Sequence, residues 1–249
     1  AAAGPAAGEL SRRLHTVRRF AALKSYNSPM HQAKSPVGVF GGTFDPIHYG
    51  HLRIAEELAE SAGLAHLHLI PTGSPPHRAT PAVSAEQRLQ MARLAVGTHP
   101  VLQVDAREVR RNGHCYTIDT LAELRAEYGP HTPLLLLTGT DAFLGLSSWS
   151  RWQQLFELAH IVVAQRPGFA AADWEARMPD ELRQQLRQRR QDDVAALRQM
   201  PAGGIAALTV TQLEISATAL RQMFRRGNSP RYLLPDAVID FIRNQKLYI

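Results

Sequence analysis

From Pro36 onward, apolar runs of strand length alternate with amphipathic runs of helix length, and this alternation narrows the fold more than any other feature. Val37-Gly38-Val39-Phe40 reads as a short buried strand ending in a glycine-rich turn. The 3.6-residue period predicts a helix from about His51, with Leu52, Ala55, Leu58 and Ala59 on one face and Gly63 placed to end it. Leu67 to Ile70 is a second strand, stopped by Pro71, and Ser84-Ala85-Glu86-Gln87 is a capping box opening a helix through Leu89, Ala92 and Leu94. Val101 to Val104 is strand-like. A helix from about Ile118 to Tyr128 turns Ile118, Leu121 and Leu124 inward before Gly129-Pro130. Leu134 to Leu137 is wholly apolar, as parallel strands covered on both faces tend to be. A helix near Arg151 to Leu158, a strand at Ile161 to Ala164, a strand at Ala206 to Val210 and helices at about 217–226 and 236–245 follow. The Gln- and Arg-rich stretch 170–200 reads as one or two solvated surface helices. Such a chain implies an α/β architecture, a parallel sheet doubly wound by helices on both faces.

Composition removes other classes. The chain has 249 residues, 45% of them hydrophobic and 20% charged, enough for one α/β domain with a full core. No window approaches the roughly 18 to 20 consecutive apolar residues of a membrane-spanning helix. Cys115 is the single cysteine, so neither an internal disulfide nor a Cys-rich zinc motif can form, which fits a reducing compartment, the cytoplasm. Cys115 itself reads as a half-buried small side chain. The net charge of +6 is mostly local: residues 1–35 carry six basic side chains against Glu9 alone, leaving the remainder nearly balanced. A basic total is therefore poor support for nucleic-acid binding. Residues 1–35 read as an extension, either an Arg-rich transit segment or a disordered tail with Met30 as an alternative start, and residues 36–249 as the folded domain.

The densest chemistry is Gly41-Gly42-Thr43-Phe44-Asp45-Pro46-Ile47-His48-Tyr49-Gly50-His51-Leu52, between the first strand and the first helix, where open α/β sheets bind ligands. Gly41 and Gly42 let backbone N–H groups approach an anion without interference from a Cβ. His48 and His51 lie beside a helix N-terminus that favours phosphate through its N–H groups and dipole. Phosphoryl transfer asks for such fixed donors around oxygens that gain charge. Near the end, Ile215-Ser216-Ala217-Thr218-Ala219-Leu220-Arg221 offers a capped helix start carrying a hydroxyl and a guanidinium. Pro71-Thr72-Gly73-Ser74-Pro75-Pro76-His77-Arg78, Cys115-Tyr116-Thr117-Ile118-Asp119-Thr120-Leu121, Gly139-Thr140-Asp141, Trp149 and Arg166-Pro167-Gly168 each stand at the end of a predicted strand, the start of a predicted helix or in a loop.

The first string resembles the signature of the HxGH nucleotidyltransferase superfamily, and Ile215–Arg221 resembles its C-terminal I-S-S-T-x-I-R element, departing from it at Ala217 and Leu220. All the segments together, in this order, resemble the bacterial nicotinate-nucleotide adenylyltransferase family across residues 37–249. The resemblance implies a Rossmann-like nucleotidyltransferase fold and adenylyl transfer from ATP to nicotinate mononucleotide. It implies His48 and His51 as catalytic residues, and ATP contacts from Gly41, Gly42, Thr43, Phe44, His48, His51, Gly139, Asp141, Ile215, Ser216, Thr218 and Arg221. For the mononucleotide it implies His77, Arg78, Thr117, Trp149, Ser150 and Arg166, with Ser150 standing where the family often has an aromatic residue. Mg²⁺ is expected to arrive with the triphosphate, since no carboxylate cluster suggests a dedicated metal cage. Alternatives are adenylyl transfer to nicotinamide mononucleotide or phosphopantetheine, an RNA-binding module using the basic extension, and a catalytically inactive ligand sensor.

Overall fold

The computed structural model describes residues 35–74, 80–165 and 175–249. Among them, seven strands form one parallel sheet: β1 (Val37–Gly42), β2 (His66–Pro71), β3 (Leu102–Val104), β4 (Leu134–Gly139), β5 (His160–Gln165), β6 (Arg190–Gln191) and β7 (Ile205–Thr209), in the order β3-β2-β1-β4-β5-β7-β6. The chain lays β2 and β3 to one side of β1, then returns to place β4 on the other. The strand order therefore reverses between β1 and β4, which opens a crevice beyond their C-terminal ends.

Alternation along each strand explains why both faces are covered. Leu134 and Leu136 of β4 join one buried cluster with Ile161 and Val163 of β5, whereas Leu135 and Leu137 join the other with Val162 and Ala164. On the second face lie α1 (Tyr49–Ala62), α2 (Ala85–Val96), α8 (Ala217–Arg225) and α9 (Asp236–Asn244), the last packed against α2. The first face carries α4 (Thr117–Tyr128), α5 (Thr140–Leu144), α6 (Leu155–Leu158) and α7 (Asp180–Arg189). A short α3 (Arg107–Arg110) follows β3. The expected punctuation holds: Gly63 ends α1 in the left-handed region (φ 54°), and Ser84 Oγ accepts from Gln87 N at 3.2 Å while Ser84 N donates to Gln87 Oε1 at 3.0 Å.

Two local expectations need correction. The stretch near Arg151–Leu158 is not one helix: Arg151 adopts φ 51°, a 3-10 turn covers Trp152–Gln154, and only Leu155–Leu158 is α-helical, a break that lets Trp152, Leu155 and Phe156 all be buried. Residues 175–200 are more than a solvated surface. Leu182 and Leu186, four apart on α7, are fully or almost fully buried, Leu197 enters the opposite cluster, and Arg190–Gln191 extends the sheet beside β7. Few leucines among many Gln and Arg gave this burial a weak signature. Residues 1–34, together with His77, Arg78 and Arg166, lie outside the described residues. Among the described residues, no helix is long and apolar enough to cross a membrane.

Candidate active site

β1 delivers its last two glycines to the crevice for different reasons. A Cβ on Gly41 would meet nothing within 4 Å, because that position faces open space. A Cβ on Gly42 would fall 2.7 Å from the ring of Phe44. Phe44 is buried with φ 50°, a conformation that costs an aromatic residue energy and turns the chain back under the sheet end. Its ring meets Phe40 edge-on at 5.6 Å and His51 at 5.1 Å, so it forms the wall behind that imidazole.

α1 begins at His48, an extended N-cap whose backbone N–H donates to His51 Nδ1 at 3.3 Å. With Nδ1 accepting, the neutral ring carries its proton on Nε2 and can donate from there. The two imidazoles stack at 3.7 Å, 28° from parallel. A Cβ at Gly50 would press on the His48 ring at 3.0 Å, which accounts for the glycine between the histidines. Burial lowers the pKa of His48 from 6.5 to about 4, and burial together with the adjacent His48 lowers that of His51 well below its ordinary value. Both rings are neutral near pH 7, so neither brings a positive charge to the site. The first turn of α1 carries no acidic residue.

The C-terminal segment meets this motif directly. Ser216 Oγ caps α8 by accepting from Ala219 N at 3.4 Å, and α8 likewise has no acid in its first turn. Arg221 Nη1 donates to the carbonyl of Asp45 at 2.7 Å and lies 3.7 Å from its carboxylate, while Nη2 donates to Thr218 Oγ1 at 3.2 Å. The buried Asp45 carboxylate also accepts from Ala82 N at 2.8 Å and from Tyr248 Oη at 2.7 Å. One side chain therefore ties the first motif, the loop before α2, the start of α8 and the C-terminal segment together.

A cavity of about 610 Å³ results, lined by Gly41, Gly42, Thr43, Phe44, Asp45 and His51 from the first motif and by Thr218, Arg221 and Arg225 from α8, with Gly139 at its edge. His48 stands behind His51 instead of lining this space, Ser216 serves as the cap, and Ile215 is half-buried against the core. Two further cavities adjoin. One, of about 320 Å³, shares Gly41 and Gly42 and contains Thr117, Trp149 and Ser150, with Val39, Ile70 and Leu136 among its apolar walls. No side chain caps the start of α4 at Tyr116, and the first-turn acid Asp119 is drawn off by Arg151 at 2.6 Å. The other, of about 760 Å³, shares Gly139 and holds Asp141 in the first turn of α5.

Several residues in or beside these cavities escaped the sequence reading. Asp45 is given no role within its motif there, and Arg225 is not singled out. Glu108 lines the smaller cavity; burial raises its pKa, and Thr120 Oγ1 donates to it at 2.8 Å. Arg88 is 1% exposed, and its one visible signal was a cation among the buried positions Leu89, Met91 and Ala92 of α2.

A parallel sheet with a donor-lined cavity at its switch point, flanked by two helix N-termini, is suited to hold the phosphates of a nucleotide. The sequence pattern described as Cytidylyltransferase-like matches residues 39–223. Two proteins named "Probable nicotinate-nucleotide adenylyltransferase" are similar over most of their length. That of Dechloromonas aromatica is 48% identical over 86% of this chain and 97% of its own, and that of Acidithiobacillus ferrooxidans 50% identical over 84% and 94%. The chain belongs to the nicotinate-nucleotide adenylyltransferase family. The solved Plasmodium falciparum nicotinic acid mononucleotide adenylyltransferase complexed with NaAD has the same fold, with a TM-score of 0.63 at 14% identity, covering 86% of this chain and 97% of that one.

Proposed function

We propose that the chain transfers the adenylyl group of ATP to nicotinate mononucleotide, forming nicotinate adenine dinucleotide and pyrophosphate in the cytoplasm. The observation that carries this reading is the single cavity shared by Gly41, Gly42, His51, Thr218 and Arg221, a set of neutral and cationic donors suited to a polyphosphate. The triphosphate lies along this cavity, with Thr43 and the Nε2–H of His51 directed at the phosphoryl oxygens and His48 fixing the His51 ring by stacking. The adenosine extends past Gly139 towards Asp141, whose carboxylate suits ribose hydroxyls.

The mononucleotide occupies the smaller cavity, its ring against Trp149 and its ring carboxylate at the uncapped start of α4 by Thr117 and at the backbone of Ser150. His77, Arg78 and Arg166 are proposed as neighbours of its phosphate. Gly41 and Gly42, common to both cavities, bring the two substrates together. An oxygen of the mononucleotide phosphate forms a bond to the α-phosphorus as the bond to the β-phosphate oxygen breaks. Pyrophosphate leaves with the bonding pair. The attacking phosphate is already ionised near neutral pH, so the step needs no general base.

The residues present fit a metal carried by the substrate. Asp45, the one carboxylate lining the phosphate cavity among the described residues, is engaged by Tyr248, Ala82 and Arg221, and no His/Cys/Asp/Glu cluster suited to a metal is found among those residues. Mg²⁺ bound to the triphosphate would supply charge neutralisation there. The acceptor is tested by comparing pyrophosphate release from ATP with nicotinate mononucleotide, nicotinamide mononucleotide and phosphopantetheine. The acid mononucleotide is expected to give the highest kcat/KM; a preference for the amide or for phosphopantetheine would overturn the assignment.

A further inference from the structure

The β1–β2 ladder ends at Gly42 and Pro71. Beyond it the two chains part: Thr43 goes to the wall of the phosphate cavity, and Thr72 to the wall of the ring cavity. Past the last ladder pair, Thr72 N still donates to Gly42 O at 2.9 Å. The next link is a side chain from α2. Arg88 Nη1 donates to Thr43 O at 2.7 Å, and its Nη2 donates to Thr72 O at 2.6 Å and to Gly73 O at 3.3 Å.

We propose that Arg88 is a positioning residue for the transfer, its guanidinium clamping the walls of the two substrate cavities at the spacing an in-line displacement requires. This rests on the reaction proposed above. The planar fork of a guanidinium can hold carbonyls on two divergent chains at once, whereas an ammonium is a single point on a flexible stem. The partners are backbone carbonyls, so what the side chain fixes is the path of the two loops. Glycines stand in both turns, at Gly41-Gly42 and at Gly73, and give the backbone there more conformational freedom than other residues would. A displacement of about 1 Å between reacting groups can cost on the order of 10² in rate.

Arg125 supplies an internal control. It uses the same device at the opposite end of the sheet, donating to Leu158 O at 2.5 Å, Thr132 O at 2.6 Å, Pro201 O at 2.8 Å and Gly129 O at 3.0 Å. It lines none of the three cavities described above. A guanidinium clamp on backbone carbonyls is thus available at a position that lines none of the substrate cavities.

The experiment is steady-state kinetics on the full chain and its Arg88→Lys, Arg88→Gln and Arg125→Lys variants, each assayed well below its own melting temperature. Both Arg88 variants are expected to lose at least about 10²-fold in kcat, with either KM changed less than about threefold. Arg125→Lys is expected to melt earlier yet keep kcat within about twofold. A folded Arg88 variant with near-normal kcat would overturn the inference. So would a rise in KM alone, an equal kcat loss in Arg125→Lys, or failure of both Arg88 variants to fold, which would assign the residue to stability. Absence of pyrophosphate release by the unmodified chain would instead sink the proposed reaction, so the two failures are distinguishable.

Discussion

Two glycines and two histidines in one motif do four different things. Gly41 leaves room over the cavity, Gly42 leaves room for the Phe44 ring, His51 lines the cavity, and His48 holds His51 by stacking and by its backbone N–H. Burial keeps both imidazoles neutral, so in the proposed reaction His51 would contribute an N–H rather than a charge. Its value is therefore greatest where charge develops, in the transition state. His51→Ala is expected to lower turnover by about 10² to 10³ while circular dichroism and melting show an intact fold; turnover within a few-fold of the parent chain would remove His51 from the account. The motif's location was legible in the sequence because glycines and histidines at a strand–helix junction have few other uses. The division of labour was not, because it depends on Phe44 folding back under Gly42, and no local pattern announces a buried aromatic at φ 50°.

At the scale of elements, six of the seven described strands, all but β6, and the helices α1, α2, α4, α8 and α9 were readable to within a residue or two, since alternation and capping residues are local signals. The failures lie where burial depends on distant partners. α7 carries only Leu182 and Leu186 as apolar anchors, yet both are buried in the cluster on that face of the sheet. Leu186→Ala is expected to cost about 2 to 5 kcal/mol in urea unfolding, the range for a buried leucine; a loss under about 0.5 kcal/mol would restore the reading of a solvated helix. The union of α8 with the first motif belongs here as well. Arg221 and Asp45 are far apart in the chain, and only the placement of α8 beside the end of β1 lets the guanidinium reach the Asp45 carbonyl. A resemblance suggested that both segments serve one ligand; the contact between them required the fold.

At the scale of the whole fold, four histidines among the described residues are held with lowered pKa values: His48 and His51 in the site, His68 beside Tyr128, and His160, whose Nδ1 accepts from Gly204 N at 2.9 Å while Nε2 lies 2.8 Å from Met200 O. In the unfolded chain they protonate near 6.5, so between that value and the folded value the unfolded state binds more protons. Stability from these groups is present above pH 6.5 and declines as the pH falls below it, for His48 down to about 4. His48 alone accounts for about 2 kcal/mol between pH 7 and pH 5, and the others act in the same direction. Glu108, with its raised pKa, opposes them. Urea titrations at the two pH values are expected to show the lower free energy of unfolding at pH 5; equal or greater stability there would mean that the imidazoles are not buried neutral. The central claim is that one cradle, built from both ends of the folded domain, holds a triphosphate while a neighbouring pocket presents the attacking phosphate. Its most direct test follows label from the α-phosphorus of ATP after nicotinate mononucleotide is added. Label is expected in the dinucleotide with one pyrophosphate released per transfer; label confined to ATP, or appearing only as AMP, would rule out adenylyl transfer to the mononucleotide.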